Sequence, residues 1–291
     1  MAIEIVGTTT QYGDGHVKQY DFSHTTTPDT QAILLFFAGM RFQSGSVPFE
    51  IQSATFDGAA LTRAEWLQNY TTNHNYTSEI WYIANPASDT TASLSITTTS
   101  TIQRARFVSV NLTNVDTANL IGTTATDDTL DANDYLSAAI AIDAGDAIFA
   151  SGVIRGDSGN GWIAGAGNVE LDDYQSGTGN THIASSAWWR VETSAGTYTS
   201  ESVCPSLYGP TAVFAQVNSA AATQPVELGG LVDADTVYPP TVVAGAISVE
   251  LGGLVDADTV YPPTVVAGVI SVELGGLVDA DTVYPPTVVA G

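Results

Sequence analysis

Four histidines, one cysteine and several spaced carboxylates are the groups of this chain with the chemistry for catalysis or metal binding. His16, His24, His74 and His182 lie in separate polar segments, with no second His or Cys two to four positions away, so the spacing of a zinc site is missing. Cys204 is followed by Pro205, no G-x-S-x-G elbow occurs, and a lone cysteine reads as a small buried hydrophobe. Carboxylate pairs stand at Asp127-Asp128, Asp131 and Asp134, and Asp172-Asp173. A glycosidase needs two such groups roughly 5 to 10 Å apart in an aromatic cleft, but in turns the same acids form the turn itself. The pairs Asp233 and Asp235, Asp256 and Asp258, and Asp279 and Asp281 have the alternating oxygen spacing that calcium favours, and "DSGNG" at 157 to 161 is a second oxygen-rich loop. Asx turns that cap backbone N–H groups account for the same spacing. Calcium is therefore the one candidate cofactor, and none is required. Trp81-Tyr82 and Trp188-Trp189 are adjacent aromatics in strand-like runs, where successive side chains face opposite sides. The outward member, Trp81 or one of Trp188 and Trp189, is available to stack on a sugar or a neighbouring subunit. Packing under a loop is the commoner fate of such a ring.

The elements that must position these groups read as β-strands. Runs such as "AILLFFAG", "SEIWYIANP", "ASLSITT", "RFVSVNL", "DAIFASGVI" and "TAVFAQVN" alternate with Gly, Asn, Asp and Pro turns. Many short strands so punctuated favour a sandwich or barrel over a βαβ arrangement. The expected fold is all-β: an antiparallel, jelly-roll-like β-sandwich over 1 to 218, a linker at 219 to 225 ("SAAATQP"), and a β-rich tail over 226 to 291. Acids number 31 against 7 bases, and every base precedes residue 191, so no basic patch is available for nucleic acid or anionic lipid. The start "MAIEIVGTTT" reads as neither a Sec signal nor a membrane span, and the longest apolar run, "AILLFFAGM", is far short of about 18 residues.

The tail says "VELGGLVDADTVYPPTVVAG" three times, at 226 to 245, 249 to 268 and 272 to 291, a period of 23. The run "ISVEL" (247 to 251) and the run "TVVAG" (241 to 245) read as strands, and Pro239 and Pro240 force a bend between successive strands. A unit this short cannot bury its apolar face alone, so it stacks on its neighbours or on equivalent tails of a cyclic oligomer. The corners Tyr238-Pro239, Tyr261-Pro262 and Tyr284-Pro285 are the expected assembly points.

The phrases "ATFDGAALTRAEW", "SEIWYIANPASDTTASLSITT", "VSVNLTNVDT" and "AGDAIFASGVI", in that order, resemble a β-sandwich module of bacterial extracellular proteins and tailed-phage structural proteins. The tail segment "DADTVYPPTV" is similar to the D-x-D-T-x-Y-x-P-T-V tandem repeats of phage fibre and tail-associated proteins, with a second Pro after Tyr. Together the resemblances imply a non-enzymatic structural protein on a phage virion surface: head fibre, head decoration or tail fibre. They imply a homotrimer among other virion proteins, with a host-surface glycan as an external partner. A secreted bacterial adhesin or surface filament is the alternative, and a carbohydrate-active enzyme the third reading.

Overall fold

The computed structural model describes residues 1–13, 15–42, 49–70, 74–129, 135–155, 162–176, 182–203 and 210–220, together with nine short strands beyond residue 225. The chain divides into two units, Met1–Ala220 and Ala221–Gly291. Both are built from β-strands, and among the described residues no helix is long and apolar enough to cross a membrane.

The first unit is not one sandwich but two. Strands β1 (Glu4–Gly13), β2 (Val17–Thr25), β3 (Ala32–Phe42), β4 (Ile51–Phe56), β5 (Ala59–Ala60), β6 (Thr62–Tyr70), β7 (His74–Ala84), β8 (Thr91–Ile102) and β9 (Arg104–Thr113) form the first. Its inner sheet runs β1-β9-β3-β7-β6 and its outer sheet β2-β8-β4-β5, which is jelly-roll order with β6 added at one edge. Strands β10 (Ile121–Asp127), β11 (Tyr135–Ile142), β12 (Ala147–Arg155), β13 (Ile163–Ala164), β14 (Val169–Gln175), β15 (Ile183–Val191), β16 (Gly196–Val203) and β17 (Thr211–Val217) form the second. Its sheets run β10-β17-β12-β15-β14 and β11-β16-β13, the same order strand for strand, lacking only a counterpart of β5. The register coincides too. Ala32 lies opposite Ala84 and Leu112 in the first roll, and Ala147 opposite Val191 and Val217 in the second. Even the bulge recurs: β6 skips a residue between Arg63 and Glu65, β14 between Glu170 and Asp172.

The two inner sheets pack face to face, which makes four layers and three apolar seams. Leu34, Phe36, Val108 and Val110 meet Phe149, Ala187, Val213 and Ala215 in the central seam. Ile33, Leu35, Phe37 and Phe107 face Phe22, Phe56, Leu94 and Ile96 in the first roll. Ile148, Ala150, Trp188 and Phe214 face Leu136, Ile140 and Trp162 in the second. This explains the unbroken "AILLFFAGM": β3 is covered on both faces, so the polar alternation of a half-solvated antiparallel strand is lost.

The rolls meet in a pseudo-two-fold manner. β3 crosses β12 at the centre, β7 packs on β12 and β17, and reciprocally β15 packs on β3 and β9. The acid after each bulge reaches the edge strand of the other roll. Glu65 accepts from the Thr124 hydroxyl at 2.6 Å, and Asp172 from the Tyr12 hydroxyl at 2.9 Å. The entry and exit of the unit are pinned at one pole: the Ile3 amide donates to the Gly145 carbonyl at 3.2 Å, and Asp146 accepts from the Ser219 amide at 2.7 Å. Gly145 has φ +94, and a Cβ there would lie 2.8 Å from the Met1 carbonyl oxygen, so only glycine fits.

In the second unit each 23-residue repeat contributes one strand to each of three parallel sheets. β18 (Val226–Leu228), β21 (Ile247–Leu251) and β24 (Ile270–Leu274) form the first; β19 (Thr236–Val237), β22 (Thr259–Val260) and β25 (Thr282–Val283) the second; β20 (Thr241–Val243), β23 (Thr264–Val266) and β26 (Thr287–Val289) the third. Pairing is in register throughout: Val226 with Val249 with Val272, and Thr241 with Thr264 with Thr287. Each repeat is thus one coil of a parallel β-solenoid, rising about 4.8 Å per coil. The expected strands at 241 and 247 are present. The third, at Thr236–Val237, comes just before the Tyr-Pro-Pro segment and is too short to announce itself by periodicity.

Candidate functional site

The most exposed tryptophan side chain that the structure describes sits on the first roll's edge strand. After the bulge in β6, Trp66 pairs with Glu79 and Gln68 with Thr77, placing Arg63, Trp66, Gln68 and Tyr70 on one face of the sheet. Trp66 is 36% exposed and Tyr70 40%. Both rings are held from behind. The Arg63 guanidinium lies 5.0 Å from the Trp66 ring centre and 5.6 Å from that of Trp81, wedged between the two indoles. Glu50 pairs with Arg63 from the side. The Tyr70 hydroxyl donates to Gln68 at 2.6 Å, and Gln68 in turn donates to the Phe49 carbonyl.

Beneath this ledge Glu79 is fully buried. It accepts from the Ile51 amide at 2.7 Å and the Trp81 indole N–H at 2.8 Å, with Arg63 at 3.8 Å. Burial pushes its carboxyl up to about 7, against the opposing pull of those two donors and Arg63. Glu50 and Glu79 share Arg63 as a common cation, and a glycosidase too works with two acids in one site. Yet Glu79 has no solvent-exposed surface and both its oxygens are engaged, so it has no path for handing a proton to a substrate. Its role is to bind the guanidinium from below.

The second roll supplies an internal comparison. At the positions equivalent to Arg63, Trp66 and Glu79 it carries Glu170, Asp173 and Ser186, with the same register and the same bulge. The jelly roll is therefore built without this constellation, and where the first roll buries the carboxylate of Glu79 beneath the aromatic ledge the second buries the Ser186 hydroxyl.

Two polar clusters lie inside the first unit. His24 is buried between the sheets of the first roll, with Nδ1 2.9 Å from the Ser109 hydroxyl and 3.0 Å from that of Thr9, and Nε2 2.7 Å from Asn111 Oδ1. Asn111 uses its Nδ2 on the Thr25 carbonyl at 2.8 Å, so its oxygen is the acceptor and the ring is neutral with its proton on Nε2. Burial holds the His24 pKa below the usual histidine value. A serine, histidine and asparagine in line resemble a nucleophile relay, but all three are buried and stitch sheet to sheet. Arg106 is buried at the seam between the rolls, donating to the Asp172 carbonyl at 3.1 Å and to the Ser151 hydroxyl at 3.2 Å. Desolvation pulls its pKa down to about 10, so it stays charged at neutral pH. Tyr12, whose hydroxyl binds Asp172, stacks on Tyr174 at 4.1 Å.

The tryptophans singled out by sequence are placed inward. Trp188 is fully buried with its N–H on the Ser200 hydroxyl at 3.0 Å, and Trp189 turns into the central seam to stack on Phe149 at 5.5 Å. Adjacent rings do face opposite sides, but β15 has a core on each side. Trp81 is 7% exposed and serves as the rear wall of the Arg63 wedge. Trp66 escaped sequence reading because the bulge breaks the period of two: Arg63 and Trp66 share a face although three positions apart. Asp233, Asp235, Asp256, Asp258, Asp279 and Asp281, the "DSGNG" loop and the Tyr-Pro corners lie outside the described residues. Among the described residues no cluster of three or more His, Cys, Asp or Glu forms a metal site. No protein-family model matches the chain, and no curated protein matches it.

Proposed function

We propose that the chain is a structural surface protein of a tailed-phage virion, a head fibre, head decoration or tail fibre, that presents its jelly-roll pair to the outside. The observation that carries this is the in-register solenoid: identical coils stacked in parallel make a shaft or anchor, and they bring no variety of side chains to one point. Jelly rolls are a common architecture of viral capsid and lectin domains, and the resemblance of the strand-and-turn phrases to those of phage proteins supports the same reading. A stack of three coils buries little surface by itself, and a homotrimer of tails is the natural way to widen it. The test is mass spectrometry of gradient-purified particles released by the producing cells. Stoichiometric recovery with the particle supports the proposal. Recovery only with the cell envelope would favour an adhesin instead.

A further inference from the structure

We propose that the Arg63, Trp66 and Tyr70 face of β6 is a binding ledge for a neutral oligosaccharide. The inference rests on the surface-display reading for its biological use, but its chemistry stands on the site alone. Trp66 and Tyr70 present exposed rings on one face of an edge strand, four residues apart. At about 3.3 Å per residue their backbones are separated by about 13 Å, a span longer than one sugar ring. Each ring is fixed before any ligand arrives, Trp66 by Arg63 and Tyr70 by Gln68, so little side-chain entropy is lost on binding. A pyranose offers an apolar C–H face for the rings and hydroxyls at its rim for the oxygens of Glu50 and the N–H groups of Arg63. Apolar platforms edged by fixed polar groups are the composition of a small-molecule site.

Charge selects within the sugars. The chain carries a formal net charge of −24, and Arg63, the one cation that the described residues place on the ledge, is already paired with Glu50 and faces Glu79. Sialylated, sulfated or uronic glycans would meet repulsion, with Arg63 already committed to Glu50 and Glu79. The second roll argues that the ledge is not a requirement of folding: with Glu170 and Asp173 in the equivalent places it keeps strand order, register and bulge.

The test is an array of immobilised neutral oligosaccharides of glucose, mannose, galactose and N-acetylhexosamines, with sialylated and sulfated counterparts, probed with the full chain. Retention of a neutral set is expected. Trp66→Ala should weaken it by about tenfold or more and Tyr70→Ala by less, since an anchoring ring dominates binding energy. Trp66→Phe keeps an aromatic platform and should be intermediate, which guards against a misfolded alanine variant. Ile163→Ser, on the outer sheet of the second roll and 65% exposed, should bind as the parent. No retention at about 1 mM, preference for anionic glycans, or equal binding by Trp66→Ala and Tyr70→Ala would overturn the proposal. So would Trp66-dependent self-association, which would make the ledge a contact between copies. Sugar binding by a chain absent from particles would leave the ledge intact and remove only the display reading.

Discussion

Replacing Glu79 by Gln changes a charge in the driest part of the ledge, and its effect on stability must depend on pH. The folded-state carboxyl sits at about 7 against an ordinary value near 4.5. A group raised in the folded state gives stability that is fully present below the unfolded pKa and is lost as pH climbs through the folded one. At pH 5 the native carboxyl is protonated, and Gln is close to its equal in charge and shape. By pH 8.5 the native protein must hold a buried carboxylate that the unfolded chain would leave in water. The gap of roughly 2.5 pKa steps corresponds to about 3 kcal/mol at 1.36 kcal/mol each. Gln forfeits one of the two N–H contacts, from Ile51 or Trp81, at a roughly pH-independent cost of about 1 kcal/mol. Glu79→Gln should therefore be neutral to slightly destabilised at pH 5 and gain on the parent by about 3 kcal/mol at pH 8.5. In thermal melts that is a relative shift of about 6 to 12 °C for a unit of this size. Taking the difference between variant and parent cancels the background titration of the other acids. Parallel melting curves from pH 5 to 8.5 would refute the placement of Glu79 as a buried, desolvated acid.

Other consequences are as direct. His24 is held neutral by burial, so its contribution is lost as pH falls below about 6.5; His24→Gln should be destabilised at pH 7.5, with the gap to the parent narrowing by pH 5 in denaturant titrations. Arg106→Ala empties a fully buried site at the seam and takes the cation from the half-buried Asp172, and should cost about 3 kcal/mol, whereas Arg106→Met with Asp172→Asn should recover much of that loss in a double-mutant cycle. Gly152→Ala places a Cβ 2.8 Å from the Trp162 ring within the second roll's core, a clash that should cost about 1 to 3 kcal/mol and lower the melting midpoint. Stacking sets Glu227, Glu250 and Glu273 in adjacent strands, so Glu250→Gln should stabilise the solenoid by about 0.2 to 1 kcal/mol, most visibly at low salt in melts of the full chain.

The all-β class, the position of the repeat tail and most strand centres were legible because short apolar runs and turn residues mark them locally. The duplication was not. Two rolls that share register, bulge and strand order share few residues: Trp81 and Trp188 coincide, but Glu79 falls on Ser186 and Arg63 on Glu170. Matching backbone geometry needs only apolar residues at matching depths, and many sequences satisfy that. For the same reason the adjacent tryptophans of β15 pointed to an open ring where the strand instead packs one into each of two cores: the alternation rule gives which side a ring faces, not whether water lies there. The ledge itself was hidden by the bulge, which moves Arg63 and Trp66 onto one face across an odd spacing.

The central claim, surface display by a virion, is tested most directly by immunogold labelling of intact, unfixed particles with antibodies raised against the Met1–Ala220 unit. Gold is expected at regular positions on the outside of the particle, with the label abolished by competing soluble unit. Particles that bind no antibody until they are disrupted, or label confined to the producing cell's surface, would contradict it.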